Sequence, residues 1–116
     1  MKGNKRILGI YNGQVVDAQE LQTGMLPEDM EVGQVIDLGV QDFVGLIVVK
    51  DITSGDSAFI QCHTEAGIPV LGDLVGSSNI SKAKDTAAKV NVFVDADTLQ
   101  VQNNLTTPAQ IQIELN

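Results

Sequence analysis

The stretch QVIDLGVQDFVGLIVVKDITSGDSAFIQ, residues 34–61, contains the longest unbroken apolar run of the chain, Leu46 to Val49. Most residues of that run are β-branched, and β-branched side chains favour strands. Ser54-Gly55-Asp56 breaks the pattern at a point where a hairpin can turn. Because the run does not alternate between apolar and polar residues, it predicts a central strand that is covered on both faces. The predicted strands of this region lie at about 32–39, 43–52 and 57–62.

The segments on both sides of this stretch also predict strands. Asn12-Gly13, the pair best suited to a two-residue turn, separates residues 5–11 from 14–21 and predicts an N-terminal hairpin. Near the other end, apolar and polar residues alternate over 90–95 and 111–115, which predicts half-buried strands. The turns recur every 8–12 residues or so, roughly the spacing of a sandwich or a barrel.

Other segments carry different signals. Leu26 to Met30 predicts a single helical turn, with Pro27 at its first position and acidic residues near the positive end of the peptide dipoles. Residues 63–67 predict a loop, and Pro69 predicts that the next strand is an edge strand or is only beginning there. Residues 77–89 have one large apolar side chain and predict a polar surface loop.

These signals combine into one fold prediction. We expect a mainly β protein, a small sandwich or partly open barrel, with one short helical turn and a long polar loop near 77–89. The length of 116 residues predicts one domain, spanning 1–116, with a modest core.

Composition excludes several classes of partner. The net charge is −8. No Lys or Arg lies between Arg6 and Lys50, while acids accumulate over 17–42, so the chain would repel the phosphates of nucleic acids. The chain has four aromatic residues and no Trp, too few for a base-stacking surface. No apolar run is long enough for a signal-peptide core or a membrane helix. We therefore expect synthesis in the cytoplasm, with no nucleic-acid partner and no membrane partner.

One motif suggests an enzyme. The strand ending at Asp95-Ala96-Asp97-Thr98 resembles the first motif of haloacid-dehalogenase-like phosphatases, in which Asp95 would be the nucleophile and Asp97 the general acid. The 18 residues after Thr98 contain no Lys and no Asp to complete that chemistry. A calcium loop fails as well, because Gln100 stands where a glycine is needed. We predict a turn between two strands.

The remaining candidates also have simpler interpretations. Cys62 and His63 are adjacent, so on a strand they point to opposite faces and cannot form a catalytic dyad. No second Cys or His is present to complete a metal site with them. The acids of 17–42 could hold a divalent cation, but a solvated face or a surface for a basic partner is favoured. We assign no catalytic residue, no metal ligand and no cofactor.

Four segments have the same kind of pattern, in which short apolar stretches contain glycine or alternate with polar residues: Val32–Leu38, Phe43–Val48, Gly72–Gly76 and Ile111–Leu115. They resemble segments of small bacteriophage head-decoration proteins, also called capsid cement proteins. The resemblance implies a non-catalytic virion protein that binds the assembled capsid at its symmetry axes, commonly as a trimer. Its partners would be the major capsid protein or further copies of the chain, and its location would be the capsid surface.

Two other classes of function stay open. A small bacterial β module that binds a glycan or a peptide is the main alternative, although such carbohydrate modules usually display aromatic platforms. An enzyme ranks third. Neighbouring copies could also join through the basic opening segment, which includes Lys5 and Arg6, and the acidic segment 17–42.

Overall fold

The computed structural model describes residues 6–11, 14–17, 29–39 and 42–115, with only the backbone described for 6–11 and 14–17. Every regular element in this part of the chain is a β-strand. In chain order the strands are β1 (Arg6–Tyr11), β2 (Gln14–Asp17), β3 (Asp29–Met30), β4 (Val35–Asp37), β5 (Val44–Asp51), β6 (Ser57–Glu65), β7 (Ile68–Gly76), β8 (Ile80–Ser81), β9 (Val90–Asp95), β10 (Thr98–Asn103) and β11 (Ala109–Leu115).

The strands form two sheets. The larger sheet has the order β2-β1-β11-β5-β6-β7, and β3 pairs with the start of β11. The smaller sheet has the order β4-β10-β9-β8. All pairs are antiparallel except β8 with β9. The sheets are not closed into a barrel. Of the two predicted architectures, the protein therefore adopts the sandwich.

The core lies between the two sheets. Ile47, Val49 and Ile60 contribute to it from the larger sheet, and Leu99 and Val101 from the smaller one. All five have no exposed surface, and complete burial of such a side chain stabilises the fold by about 1.5–3 kcal/mol. Because strand side chains alternate between faces, a slip of one residue would turn these groups outward. The core therefore fixes the strand register.

Among the residues that the structure describes, the central strand β5 is covered on one face only. It lies between β11 and β6, as predicted, and Ile47 and Val49 point into the core. Leu46 and Val48 point the other way, and Leu46 keeps 38% of its surface exposed. The prediction of cover on both faces is therefore wrong. The physical reason is that the smaller sheet packs on a single side of the larger one.

Three local predictions need correction. Asp29 and Met30, the end of the predicted helical turn, form β3, because they pair with β11 and Met30 is completely buried; residues 26–28 lie outside the described part. His63 to Glu65, predicted as a loop, continue β6, and the turn follows at Ala66-Gly67. The strand predicted at 32–39 spans only β4, because a turn closed by Gln34 N–H donating to the Glu31 carbonyl precedes it.

Other predictions are confirmed. β1 and β2 form the N-terminal hairpin, with Tyr11 paired to Gln14, although the turn residues between them lie outside the described part. Pro69 lies in β7, an edge strand of the larger sheet. Residues 77–89 form a loop, with the two-residue strand β8 inside it.

The loop 82–89 is held on the smaller sheet by side-chain hydrogen bonds. Asp85 N–H donates to the Gln102 side-chain oxygen at 2.8 Å, and the Gln102 amide donates back to the Asp85 carboxylate at 2.8 Å. The buried Asn91 amide donates to the Thr86 carbonyl at 3.1 Å and to Gln102 at 3.0 Å. Because buried polar groups need partners, the loop and these amides stabilise one another.

Asn103 joins three parts of the chain at the end of β10. Its side-chain amide donates to the Met30 carbonyl at 2.7 Å and to the Thr107 carbonyl at 3.2 Å. Its side-chain oxygen accepts a hydrogen bond from Leu105 N–H at 3.0 Å. The residue is completely buried. It therefore connects β3 and the turn before β11 to the smaller sheet.

We predict that Asn103→Asp destabilises the protein by about 3 kcal/mol at neutral pH. The substitution keeps the shape but removes both donors and directs a buried carboxylate at two carbonyl oxygens. Chemical denaturation measures the free energy of unfolding. Gln112→Glu, which adds the same charge on the larger sheet opposite Lys50, is the matched control. Equal stabilities of the two variants would contradict the role of Asn103.

We also predict that Gly76→Ala destabilises the protein more than Gly67→Ala. Both glycines have positive φ, 143° and 81°, where an alanine is strained by about 1–2 kcal/mol. A Cβ at position 76 would lie 2.5 Å from Ala58 Cα, whereas one at position 67 meets no atom within 4 Å. Overpacking adds about 1–3 kcal/mol at position 76. Thermal unfolding of the two variants tests this, and equal losses would refute the close contact of β7 with β6.

Candidate docking face

The larger sheet presents an apolar surface on the side away from the core. We name this surface the outer face. It is formed on β5, β6 and β7 by Val44, Leu46, Val48, Phe59, Val70 and Val75. The register places Val48, Phe59 and Val75 in one row across the three strands. Leu46 and Val44 lie two and four residues before Val48 on β5 and so point the same way. Val70 lies on this side because it pairs with His63, four residues from Phe59 on β6.

These side chains are unusually exposed. The exposed fraction is 80% for Val44, 66% for Val75 and 47% for Phe59. Single exposed apolar residues are common on soluble proteins, but neighbouring ones on adjacent strands form a patch, and patches mark interaction surfaces. The outer face is therefore a candidate docking surface.

Polar side chains also lie within the outer face. The register pairs Gln61 with Leu46 and places His63 between Val44 and Val70, so the apolar centre is the row of Val48, Phe59 and Val75.

Charged groups lie at the border of the outer face. Lys50 lies at the end of the face where β5 finishes. At the opposite end, Asp42 precedes β5 and Glu65 finishes β6, and both are exposed. The His63 ring nitrogen lies 2.7 Å from the Glu65 carboxylate. Asp73 is exposed on β7 beside the face.

The edge strand next to the outer face is poorly suited to pairing with another strand. Pro69 has no amide hydrogen to donate. A bulge shifts the register between β6 and β7 at Gln61, and bulges interrupt the ladder of an edge. The Lys82 ammonium, from the loop 82–89, donates a hydrogen bond to the carbonyl of Gly72, which is a residue of β7. Three features thus protect the edge of β7.

The paired aspartates lie at a hairpin tip, as predicted. Asp95 ends β9, and Ala96 and Asp97 form the turn to β10 with φ of 51° and 65°. Asp95 accepts a hydrogen bond from the Lys84 ammonium at 2.9 Å. That ammonium also lies 5.8 Å from the centre of the Phe93 ring. Asp95 is therefore engaged by the loop 82–89 rather than directed toward Asp97.

Lys84 changes the ionisation of Asp95. The hydrogen bond from the ammonium, assisted by its charge, holds the pKa of Asp95 below its ordinary value. The same hydrogen bond raises the pKa of Lys84. Both side chains are about half exposed, so solvent screens the pair. The interaction is a surface ion pair that fastens the loop.

Cys62 and His63 occupy opposite faces of β6, as predicted. Cys62 is buried in the core, and this burial raises the pKa of its thiol above the ordinary value. A raised pKa reduces the thiolate, the nucleophilic form of cysteine. His63 lies on the outer face with Glu65. The two residues are not brought together.

The acidic segment is only partly described. Within residues 29–39 and 42–115, no three His, Cys, Asp or Glu side chains gather closely enough to hold a metal ion. Asp37 accepts a hydrogen bond from Gly39 N–H at 2.8 Å and so closes a local turn. The segment 18–28 and the side chains of Lys5 and Arg6 lie outside the described part, so the predicted contact between the basic and acidic segments is untested.

Sequence reasoning did not identify the outer face. The sequence predicts covered positions for Leu46 and Val48, because an apolar run gives no information about which face is covered. The signal that could have found it is the exposed side of β6 and β7, where Phe59, Val70 and Val75 occupy the positions that alternate with core residues.

Comparisons with family models, with curated proteins and with solved structures found no match to this chain. Within the described residues, no helix is long and apolar enough to cross a bilayer.

We predict that Lys84→Gln raises the pKa of Asp95 toward the ordinary value for aspartate. Since the folded-state pKa is depressed, the ion pair stabilises the protein above the unfolded-state pKa, and this stabilisation disappears as the pH falls through the folded-state pKa. The stability of the variant and that of the parent should therefore converge in acid. NMR titration of Asp95 measures the shift, with Lys50→Gln on the other sheet as the control. An unchanged Asp95 titration would contradict the pair.

Proposed function

We propose that this chain is a non-catalytic structural protein of a virion, a capsid decoration protein that binds an assembled shell and stabilises it. The observation that supports the proposal most directly is the outer face, an exposed apolar surface on a regular sheet. The sequence resemblance described above supplies the more specific assignment to a capsid.

The size of the outer face suits an anchor within a larger contact. Val44 and Val48 are separated by four residues of strand, about 14 Å, and three strands span about 10 Å between their axes. A stable interface buries about 800 Å² on each partner. The apolar centre therefore needs a surrounding polar rim to complete a contact of that size, and interfaces commonly have that arrangement.

The reactive side chains also fit a structural role. Asp95 is engaged by Lys84, and Cys62 faces the core with a raised pKa. Asp97 lies in a tight turn. Each of these residues has a local structural explanation, so the proposal requires no reaction.

A glycan-binding module is less well supported. Carbohydrate surfaces commonly stack on several aromatic rings, and within residues 42–115 Phe59 is the exposed one, because Phe43 is half-buried and Phe93 is buried. One ring on a flat sheet provides a weak platform.

The test uses shells purified from the source particle and stripped of this chain. Purified protein is added back, and cryo-electron microscopy is used to look for density at repeating positions on the shell. We expect ordered occupancy and an increase in the temperature at which the shells disassemble, because binding to the assembled state stabilises it.

Absence of binding to the stripped shells would overturn the proposal. Binding of the chain to an oligosaccharide or a peptide instead, measured by calorimetry, would favour the alternative module. An unrelated acidic protein of similar size, which should not bind the shells, controls for nonspecific adsorption.

A further inference from the structure

We infer that the outer face is the surface through which this chain docks, and that it binds a protein surface with an apolar centre and a rim of Lys and Arg residues. The inference rests on the proposed function and specifies its contact. Two observations support it: the exposed apolar side chains on three adjacent strands and the acidic groups at their border.

The contact uses the face of the sheet rather than its β7 edge. Strand addition requires a row of free amide and carbonyl groups. On β7, Pro69 has no amide hydrogen, the bulge opposite Gln61 interrupts the ladder, and Lys82 occupies the Gly72 carbonyl. Within residues 29–39 and 42–115, no segment covers the outer face next to that edge. Docking at this side of the sheet therefore buries side chains rather than extending the sheet.

The apolar residues provide the attraction. Val44, Phe59 and Val75 retain about half or more of their surface in the free protein. Removing apolar surface from water stabilises a complex by about 25 cal/mol per Å². The three side chains lie on three different strands of one sheet, so a partner can cover them together without rearranging the backbone. They are the anchors of the contact.

The charged groups at the border of the outer face favour a partner of complementary charge. Asp42, Glu65 and Asp73 lie at the end and side of the outer face. The described lysines at this border are Lys50, at the opposite end, and Lys82, whose ammonium is already bound to the Gly72 carbonyl. Complementary charges at a rim increase the association rate and reject partners of the wrong sign. A surface with Lys or Arg positioned around an apolar centre meets this border favourably.

A second copy of the chain is a poor occupant. It would bring its own Asp42, Glu65 and Asp73 to the contact, together with Lys50 and a Lys82 ammonium that is already bound within its own chain. It would also add another net charge of −8. High net charge of one sign keeps proteins apart. The charge distribution thus favours a different, basic-rimmed protein, which under the proposed function is the outer surface of the shell subunit.

The experiment measures binding of purified variants to the stripped shells by co-sedimentation at several salt concentrations. The face variant carries Val44→Ser and Phe59→Ser, and its control carries Val32→Ser, an exposed residue before β4. The rim variant carries Glu65→Gln and Asp73→Asn, and its control carries Asp97→Asn at the hairpin tip. Sedimentation velocity gives the mass of each free protein, and circular dichroism shows that each variant folds.

We expect the face variant to bind about tenfold or more weakly, since interface anchors commonly contribute that much. The rim variant should bind more weakly at low salt and show less salt dependence, since screening weakens charge attraction between exposed groups. Both controls should bind as the parent does.

The outcomes separate the inference from the proposed function. If the parent binds shells and the face variant binds equally well, the inference is wrong and the proposed function stands. If the parent does not bind shells, both fail. If the free parent is a dimer that the face variant abolishes, the outer face joins two copies and the basic-rimmed partner is wrong. Weaker binding of the face variant with an unchanged rim variant would overturn the charge assignment.

Discussion

The fold depends on one packing constraint: the smaller sheet can cover only one side of the larger sheet. Strand side chains alternate between the two sides, so every buried position on β5 and β6 is followed by one that faces away from the core. Ile47 and Ile60 are completely buried for this reason. The neighbouring Leu46 and Phe59 are apolar without being required by the core, and this surplus is the feature that needs a functional explanation.

The two sheets differ in what covers the side that faces away from the core. On the smaller sheet, the loop 82–89 lies over Asn91 and Phe93, so polar and aromatic groups that point away from the core are nevertheless buried. The loop is fastened by amide hydrogen bonds and by the Lys84–Asp95 pair. In the described part of the chain, no such loop covers the outer face of β5, β6 and β7. The loop therefore covers this side of the smaller sheet, whereas the larger sheet has apolar side chains in contact with water on the corresponding side.

The sequence predicts the strands better than it predicts what covers them. Alternation over residues 90–95 and 111–115, and the hairpin pair at 12–13, are local signals, and each corresponds to paired strands. Asp29-Met30 became a strand because its partner, the start of β11, lies far along the chain, where no local pattern can indicate it. Asn91 occupies a polar position that predicts exposure, yet the loop 82–89 buries it. In both of these last cases, packing against other segments of the fold determines the outcome, and the local pattern does not.

The net charge and the outer face have opposing effects on the free protein. Exposed apolar side chains on three strands favour association, whereas a charge of −8 keeps like molecules apart. The protected edge of β7 opposes strand addition at that side of the larger sheet. These features together oppose self-association of a chain that has an exposed apolar surface. Under the proposed docking, a partner that is itself apolar and basic-rimmed would remove both the exposed surface and the repulsion, so the features that oppose self-association would also favour docking.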